Sequence, residues 1–312
     1  MDDYAYINAR IRAMRAGLLD PRVYEDMLGL QDISGMCEFL GRTAYGKGLG
    51  EARIDVSIAV LEDWLRGEWV RAVQKVHRIT DGQPREFLEI LLGRWEVENI
   101  KSILRGKRAD RGITEIMATL LPTGLFDETS LAELARQPSI QAVVDLLVTW
   151  RSPYAKPLRE ALRSHRELKG LEPLELALDH YYFEGALRRL EGWDQNARSV
   201  RQLLGLLIDK ANLLTAFKIA REGVASRSDI PNYFIKGGTH FPVSIYETLV
   251  RAQGMREIAE TFRKTPYAEI AEGLEREQGG IPPSVRLERG LDQFVLDRAK
   301  AMGSTDPLGI GM

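Results

Sequence analysis

Cysteine is almost missing. The 312 residues contain one, Cys37, and a single thiol closes no internal disulfide and builds no cysteine-rich zinc site, so a reducing cytosol is the expected compartment. Histidine is sparse as well: His77, His165, His180 and His240 are scattered, none forms a His-x-x-x-His pair, and no metal site is expected. Neither charge sign is in excess. With 43 Lys+Arg against 45 Asp+Glu, the formal net charge of −2 argues against a dedicated nucleic-acid binder, which carries a basic surplus. Long apolar runs are lacking too. Leu203–Ile208 and Ala142–Trp150 fall short of the roughly 18–20 residues that span a bilayer, and the second carries Asp145. The opening Met1-Asp2-Asp3 is acidic where a signal peptide would be basic. What is present is a 44% hydrophobic fraction, enough to bury a core in about two or three domains. A soluble, cytoplasmic, multi-unit protein is expected.

Helical periodicity runs nearly throughout and period-2 alternation is almost absent, so the fold class is all-α. Long helices are expected at Glu51–Ile79, Pro84–Gly106 and Asp194–Glu222, with Pro84 in a first turn and Gly106 and Gly223 as stops. Shorter ones are expected at 129–150, 154–168, 172–191, 243–264, 266–278 and 284–302. Only Ser226–Phe241 offers room for a short strand.

Three stretches repeat. Asn8, Asn99 and Asn212 each stand mid-helix; the triplets Thr43-Ala44-Tyr45, Ser152-Pro153-Tyr154 and Thr265-Pro266-Tyr267 follow them. Each triplet is followed by an acid after Leu and two before an aromatic, at Glu62, Asp179 and Asp292. Asn99 and Asn212, Gly124 and Gly237, Tyr154 and Tyr267, Leu174 and Leu287, and Asp179 and Asp292 are all 113 residues apart, whereas Asn8 precedes Asn99 by 91. The chain therefore reads as three similar helical units, 1–98, 99–211 and 212–312, with formal charges of −4, +2 and 0. Asn99 and Asn212 lie on apolar stripes, where a buried amide must be hydrogen-bonded, because leaving it unpaired costs about 1–3 kcal/mol. A structural role is therefore assigned to these asparagines rather than a ligand site.

Candidate chemistry is thin. Gly41–Gly48 satisfies the Gly-x-x-x-x-Gly-Lys part of a phosphate loop, but Gly48 stands where Ser or Thr would hold Mg²⁺, and Asp32–Leu40 reads as helix where a strand is needed. Cys37, between Met36 and Glu38-Phe39-Leu40, reads as a small core residue rather than a nucleophile. No Gly-x-Ser-x-Gly elbow or Gly-x-Gly-x-x-Gly fingerprint is present. Two basic patches remain: Lys101, Arg105, Lys107, Arg108 and Arg111 at one helix end, and Arg159, Arg163 and Arg166 at helical spacing with Lys156 and Lys169 beside them. Both suit a solvated face; the sharper use is docking onto an acidic protein or anionic headgroups. No catalytic residue, cofactor or metal ligand is assigned.

The segments Tyr4–Arg12, Glu96–Arg105, Asp209–Leu213, Phe234–Gly238 and Asp306–Gly311, in this order and spacing, resemble the C subunit (the d subunit in eukaryotes) of V-type and A-type rotary ATPases. The resemblance implies three similar helical domains about a pseudo-threefold axis forming a socket. It also implies a non-catalytic role: seating on the membrane proteolipid ring, receiving the foot of the central stalk, and passing torque for ATP-coupled ion transport. Peripheral attachment to the membrane follows, with neither a span nor nucleic acid. In that family a further helix follows the Asp-Pro-Leu-Gly segment; a fourth copy of the motif is expected near 325–329, past Met312, leaving the third unit without its closing helix. The alternatives are a helical-repeat scaffold of another cytosolic complex and a nucleotide-binding enzyme built on Gly41–Gly48.

Overall fold

Several helices begin where a side chain supplies an oxygen for the first free backbone N–H groups. Asp20 accepts from Arg22 N at 3.0 Å, Asp32 from Gly35 N at 2.7 Å, Asp127 from Ser130 N at 2.8 Å and Ser139 from Ala142 N at 3.2 Å. Each offsets one of the four donors that a helix start leaves unpaired. The computed structural model describes residues 4–48, 57–164, 170–191, 194–222, 230–275, 280–305 and 309. In chain order the helices are α1 (Tyr4–Arg15), α2 (Pro21–Leu28), α3 (Ile33–Gly41), α4 (Ile58–Ile79), α5 (Gly82–Arg108), α6 (Ile113–Met117), α7 (Glu128–Arg136) and α8 (Ile140–Thr149). They continue with α9 (Ala155–Ser164), α10 (Glu172–Arg189), α11 (Gln195–Glu222), α12 (Val243–Val250), α13 (Met255–Phe262), α14 (Ala268–Glu275) and α15 (Pro283–Thr305). Short 3-10 helices cover Ala44–Gly48 and Ile230–Tyr233. Among the described residues there is no strand, so the fold is all-α. None of the helices is long and apolar enough to cross a membrane.

Several expectations shift. The stretch with room for a short strand, Ser226–Phe241, contains a 3-10 turn, and Ser226–Asp229 lie outside the described residues. The helix expected over 129–150 breaks at Pro138, and that over 243–264 breaks at Gly254, whose φ of 94° is the left-handed conformation only glycine adopts without strain. Gly106 is no stop. It lies inside α5, and a Cβ there would run into Ile116 of α6, so it permits a close approach between the two helices. Gly223, residues 51–56 of the first long helix, residues 165–168 and 276–278, and most of the Asp306–Gly311 tail lie outside the described residues.

The backbone divides into two compact units, 1–151 and 152–312. In the first, α5 is the spine: α6, α7 and α8 pack on it, burying Ile100, Ile103, Leu104, Leu131, Leu134, Val144 and Leu147 completely. A smaller core gathers Met27, Cys37, Leu40 and Leu61. In the second, α11 is the spine, with α12 and α15 against it and a core built from Leu213, Phe217, Tyr246, Phe262, Tyr267 and Leu291. The boundaries 98/99 and 211/212 read from the sequence both fall inside a continuous helix, α5 and α11. Leu291 is fully buried and Leu61 retains 8% exposure. Leu291→Ala is expected to lower unfolding free energy by about 2–5 kcal/mol in urea titrations, and Leu61→Ala by less, because its site is less enclosed.

Candidate interaction site

Asn99 and Asn212 do the same thing. On α5 the Asn99 Nδ2 donates to the Leu121 carbonyl at 2.7 Å, and its Oδ1 accepts from Leu121 N at 2.8 Å. On α11 the Asn212 Nδ2 donates to the Ile235 carbonyl at 2.8 Å, and its Oδ1 accepts from Ile235 N at 2.8 Å. A carboxamide carries one donor and one acceptor face on a rigid plane, so it satisfies both groups of a single peptide residue that has no strand or helix neighbour to do so. The result is a clasp that holds an irregular segment onto a helix. Both amides are buried, Asn212 completely. Asn8 is buried on α1.

A second clamp lies one helical turn before each clasp, and the sequence reading passed over it. Asp209, fully buried, accepts from Thr239 N at 3.1 Å, His240 N at 2.7 Å, Phe241 N at 3.2 Å and the Tyr267 hydroxyl at 2.8 Å. Glu96 accepts from Leu125 N in the corresponding way. The signal was legible as an acid three positions before each of these asparagines, 113 residues apart. The clamp also corrects the register. A Cβ on Gly124 would enter the Glu96 carboxylate and one on Gly238 the Asp209 carboxylate, so the structural counterpart of Gly124 is Gly238 rather than Gly237. The third copy has one extra residue in this segment, consistent with Asn99 reaching 22 residues ahead and Asn212 reaching 23. Burial pushes the Asp209 carboxyl above the ordinary carboxylate value, with its backbone and Tyr267 donors pulling the other way. Burial and the adjoining Asp209 push the Tyr267 hydroxyl upward as well.

The turn triplets share one geometry. Tyr45 N donates to Thr43 Oγ1 at 3.2 Å, Tyr154 N to Ser152 Oγ at 3.4 Å and Tyr267 N to Thr265 Oγ1 at 3.2 Å. Each tyrosine ring then packs on the aromatic that follows the repeated acid: Tyr45 on Trp64 at 6.3 Å, Tyr154 on Tyr181 at 5.8 Å and Tyr267 on Phe294 at 4.7 Å. The acids themselves differ. Glu62 is exposed, Asp179 half-buried, and Asp292 pairs with Lys210, whose side chain is 9% exposed and also lies 4.0 Å from Glu288.

Gly41–Gly48 forms no phosphate cradle. It closes α3 and turns into a 3-10 helix, and Gly46 presses so closely on the Gly41 backbone that a Cβ has no room. Cys37 is buried and its thiol is pushed up by desolvation. Among the described residues no group of three or more His, Cys, Asp or Glu could hold a metal. Of the first basic patch, Lys101 pairs with Glu98 at 3.1 Å and Arg111 with Glu115 at 3.3 Å. On α9 the buried face is Ala155, Leu158 and Ala161, and Lys156, Arg159 and Arg163 stand exposed with no ion pair among the described residues. Arg166 and Lys169 lie outside those residues.

Asn212→Ala strands the Ile235 N–H and C=O and is expected to cost about 2–6 kcal/mol in chemical denaturation, from roughly 1–3 kcal/mol per unpaired group. Asn99→Ala, which leaves the Leu121 carbonyl with Thr123 N at 2.9 Å, is expected to cost about 1–3 kcal/mol. For Asp209 the folded carboxyl holds its proton to higher pH than the unfolded one. The stability it contributes is therefore present below the unfolded value of about 3.9 and is lost as pH rises through the folded one. A pH series of urea unfolding curves should show that decline in the natural chain and lose it in Asp209→Asn.

A family model described as ATP synthase (C/AC39) subunit matches residues 7–312. The C subunit of the V-type ATP synthase of Thermus thermophilus is 32% identical over 313 residues, covering 100% of this chain and 88% of that one. The C subunit of the A-type ATP synthase of Methanocaldococcus jannaschii is 26% identical over 309 residues, with coverage of 99% and 77%. That of Methanosphaera stadtmanae is 26% identical over 317 residues, with coverage of 99% and 78%. With nearly every residue inside the family match and a full-length relative above 30% identity, the chain belongs to the C/AC39 subunit family of V-type and A-type ATP synthases.

Proposed function

We propose that this chain is the rotor adaptor of its ATP synthase: it links the central stalk to the membrane proteolipid ring and carries torque between them. The carrying observation is the family membership over the length of the chain, which makes it a structural, non-catalytic part of a V/A-type complex. The helical build supports the reading. A torque-bearing part must resist shear, and here irregular segments are pinned to long helices by paired hydrogen bonds and by a carboxylate accepting several donors. On this reading the three units 1–98, 99–211 and 212–312 surround the foot of the stalk, and the chain is held at the membrane peripherally, through the ring. The exposed cations of α9, Lys156, Arg159 and Arg163, meet an acidic protein surface in the complex.

The test is co-sedimentation of the chain with membranes that contain the ring, with and without the stalk proteins, at two salt concentrations. Saturable binding that then recruits the stalk is the expected outcome; binding to neither overturns the adaptor reading. Arg159→Glu combined with Arg163→Glu should weaken assembly roughly tenfold at low salt and by less at high salt, since exposed charges are screened. The thermal melt should stay unchanged, because both side chains are exposed and unpaired among the described residues.

A further inference from the structure

Three helices occupy the same place in the repeat. α2, α7 and α12 follow the caps Asp20, Asp127 and Pro242, and in each case the next helix's cap comes twelve residues later, at Asp32, Ser139 and Gly254. Counted from the first cap, the fourth, seventh and eighth residues form one apolar face. In α7 these are Leu131, Leu134 and Ala135, and in α12 Tyr246, Leu249 and Val250, all buried. In α2 they are Tyr24, Met27 and Leu28. Met27 is buried, but Tyr24 is 53% exposed and Leu28 85%.

The difference has a visible cause. On α12 the face is covered by the clasped segment: Phe234 and Phe241 lie 5.2 Å and 6.4 Å from the Tyr246 ring, and the Tyr246 hydroxyl donates to the Ile230 carbonyl at 3.2 Å. On α7 the covering element is α6, which buries Ile116. Those segments fit because α7 starts 29 residues after Asn99 and α12 starts 31 after Asn212; α2 starts 13 after Asn8, too few for a covering segment. The carboxylate that clamps the segment is missing as well, since Ala5 stands three positions before Asn8 where Glu96 and Asp209 stand in the other copies. Among the described residues the first copy keeps the face and lacks its cover.

We propose that the Tyr24–Leu28 ridge of α2 is a docking site for a short apolar segment of a partner protein, which takes the place that residues 230–241 take on α12. Leu18, 61% exposed, and Leu30, 36% exposed, extend the apolar surface beyond the two ends of α2. Within residues 18–32 the exposed charges are Asp20, Glu25, Asp26 and Asp32 against the one cation Arg22. The occupant is therefore a segment with aliphatic or aromatic anchors and flanking Lys or Arg. The same acidic border repels an anionic headgroup layer, which favours a protein over a membrane surface.

The partner's origin in the ATP synthase rests on the adaptor reading, and the experiment separates the two. Amide hydrogen exchange is followed on the full chain alone, bound to the central-stalk proteins, and bound to ring-containing membranes. Exchange across residues 18–30 should slow at least about tenfold in one of the complexes, and Leu28→Glu should weaken that same complex by roughly tenfold or more. The melting temperature of Leu28→Glu should match that of the natural chain, because the Leu28 side chain is already in water; Leu28→Ala should weaken binding by less. Binding that leaves residues 18–30 exchanging as in the free chain overturns this inference alone. Protection that instead appears with rising concentration of the chain by itself assigns the ridge to a second copy and also overturns it. Absence of binding to either preparation overturns the adaptor reading and this inference together.

Discussion

A helix that carries an irregular segment on its flank faces one difficulty: its own backbone groups are spent along its axis, so nothing on its surface can pair the peptide groups of that segment once water is gone. Asn212 and Asn99 resolve this by offering a donor and an acceptor side by side to one residue, Ile235 or Leu121. Asp209 adds acceptors for three further N–H groups, and because Tyr267 donates to the same carboxylate, the segment is tied to the turn before α14 as well as to α11. Without these side chains the Leu121 N–H and the backbone groups of Ile235, Thr239, His240 and Phe241 that they pair would lose those partners, and the segments covering α7 and α12 would be held less firmly.

This arrangement suits the mechanical role proposed above. Rigidity comes from a long spine in each compact unit, α5 and α11, with its neighbours fixed by apolar packing and by polar contacts of defined geometry. Lys210 fastens α15 to α11 through Asp292. The repeated tyrosines and their aromatic partners close the turns before α9 and α14 and the 3-10 turn at Ala44–Gly48. None of this constellation presents a nucleophile, an acid–base pair or a ligand set to solvent; Asp209, Tyr267 and Tyr246, all with displaced titration, spend their polar atoms on the fold.

Much of the pattern was legible because hydrogen-bonding capacity and periodicity are written in residue type. The asparagines on apolar stripes, the Thr/Ser-x-Tyr turns and the leucines at 174 and 287, both fully buried, could be read at fixed spacing. Asp209 and Glu96 stand at the repeat spacing and could be found there, but not their clamping role, since burial depends on what folds over them. The pairing of Gly124 with Gly237 failed for a related reason: a one-residue insertion in a loop leaves helix spacing intact on both sides, and only the carboxylate packed against Gly238 reveals it.

Sequence by itself determined the all-α class, the repeat, the absence of a recognisable catalytic motif and the family likeness, because each depends on local periodicity or on residue identity at fixed intervals. Tertiary structure alone decided which face of each helix is covered. Tyr24–Met27–Leu28 and Tyr246–Leu249–Val250 share one apolar spacing. One face lies largely open and the other is closed, because enclosure is a property of the segment folded across the helix and not of the helix itself.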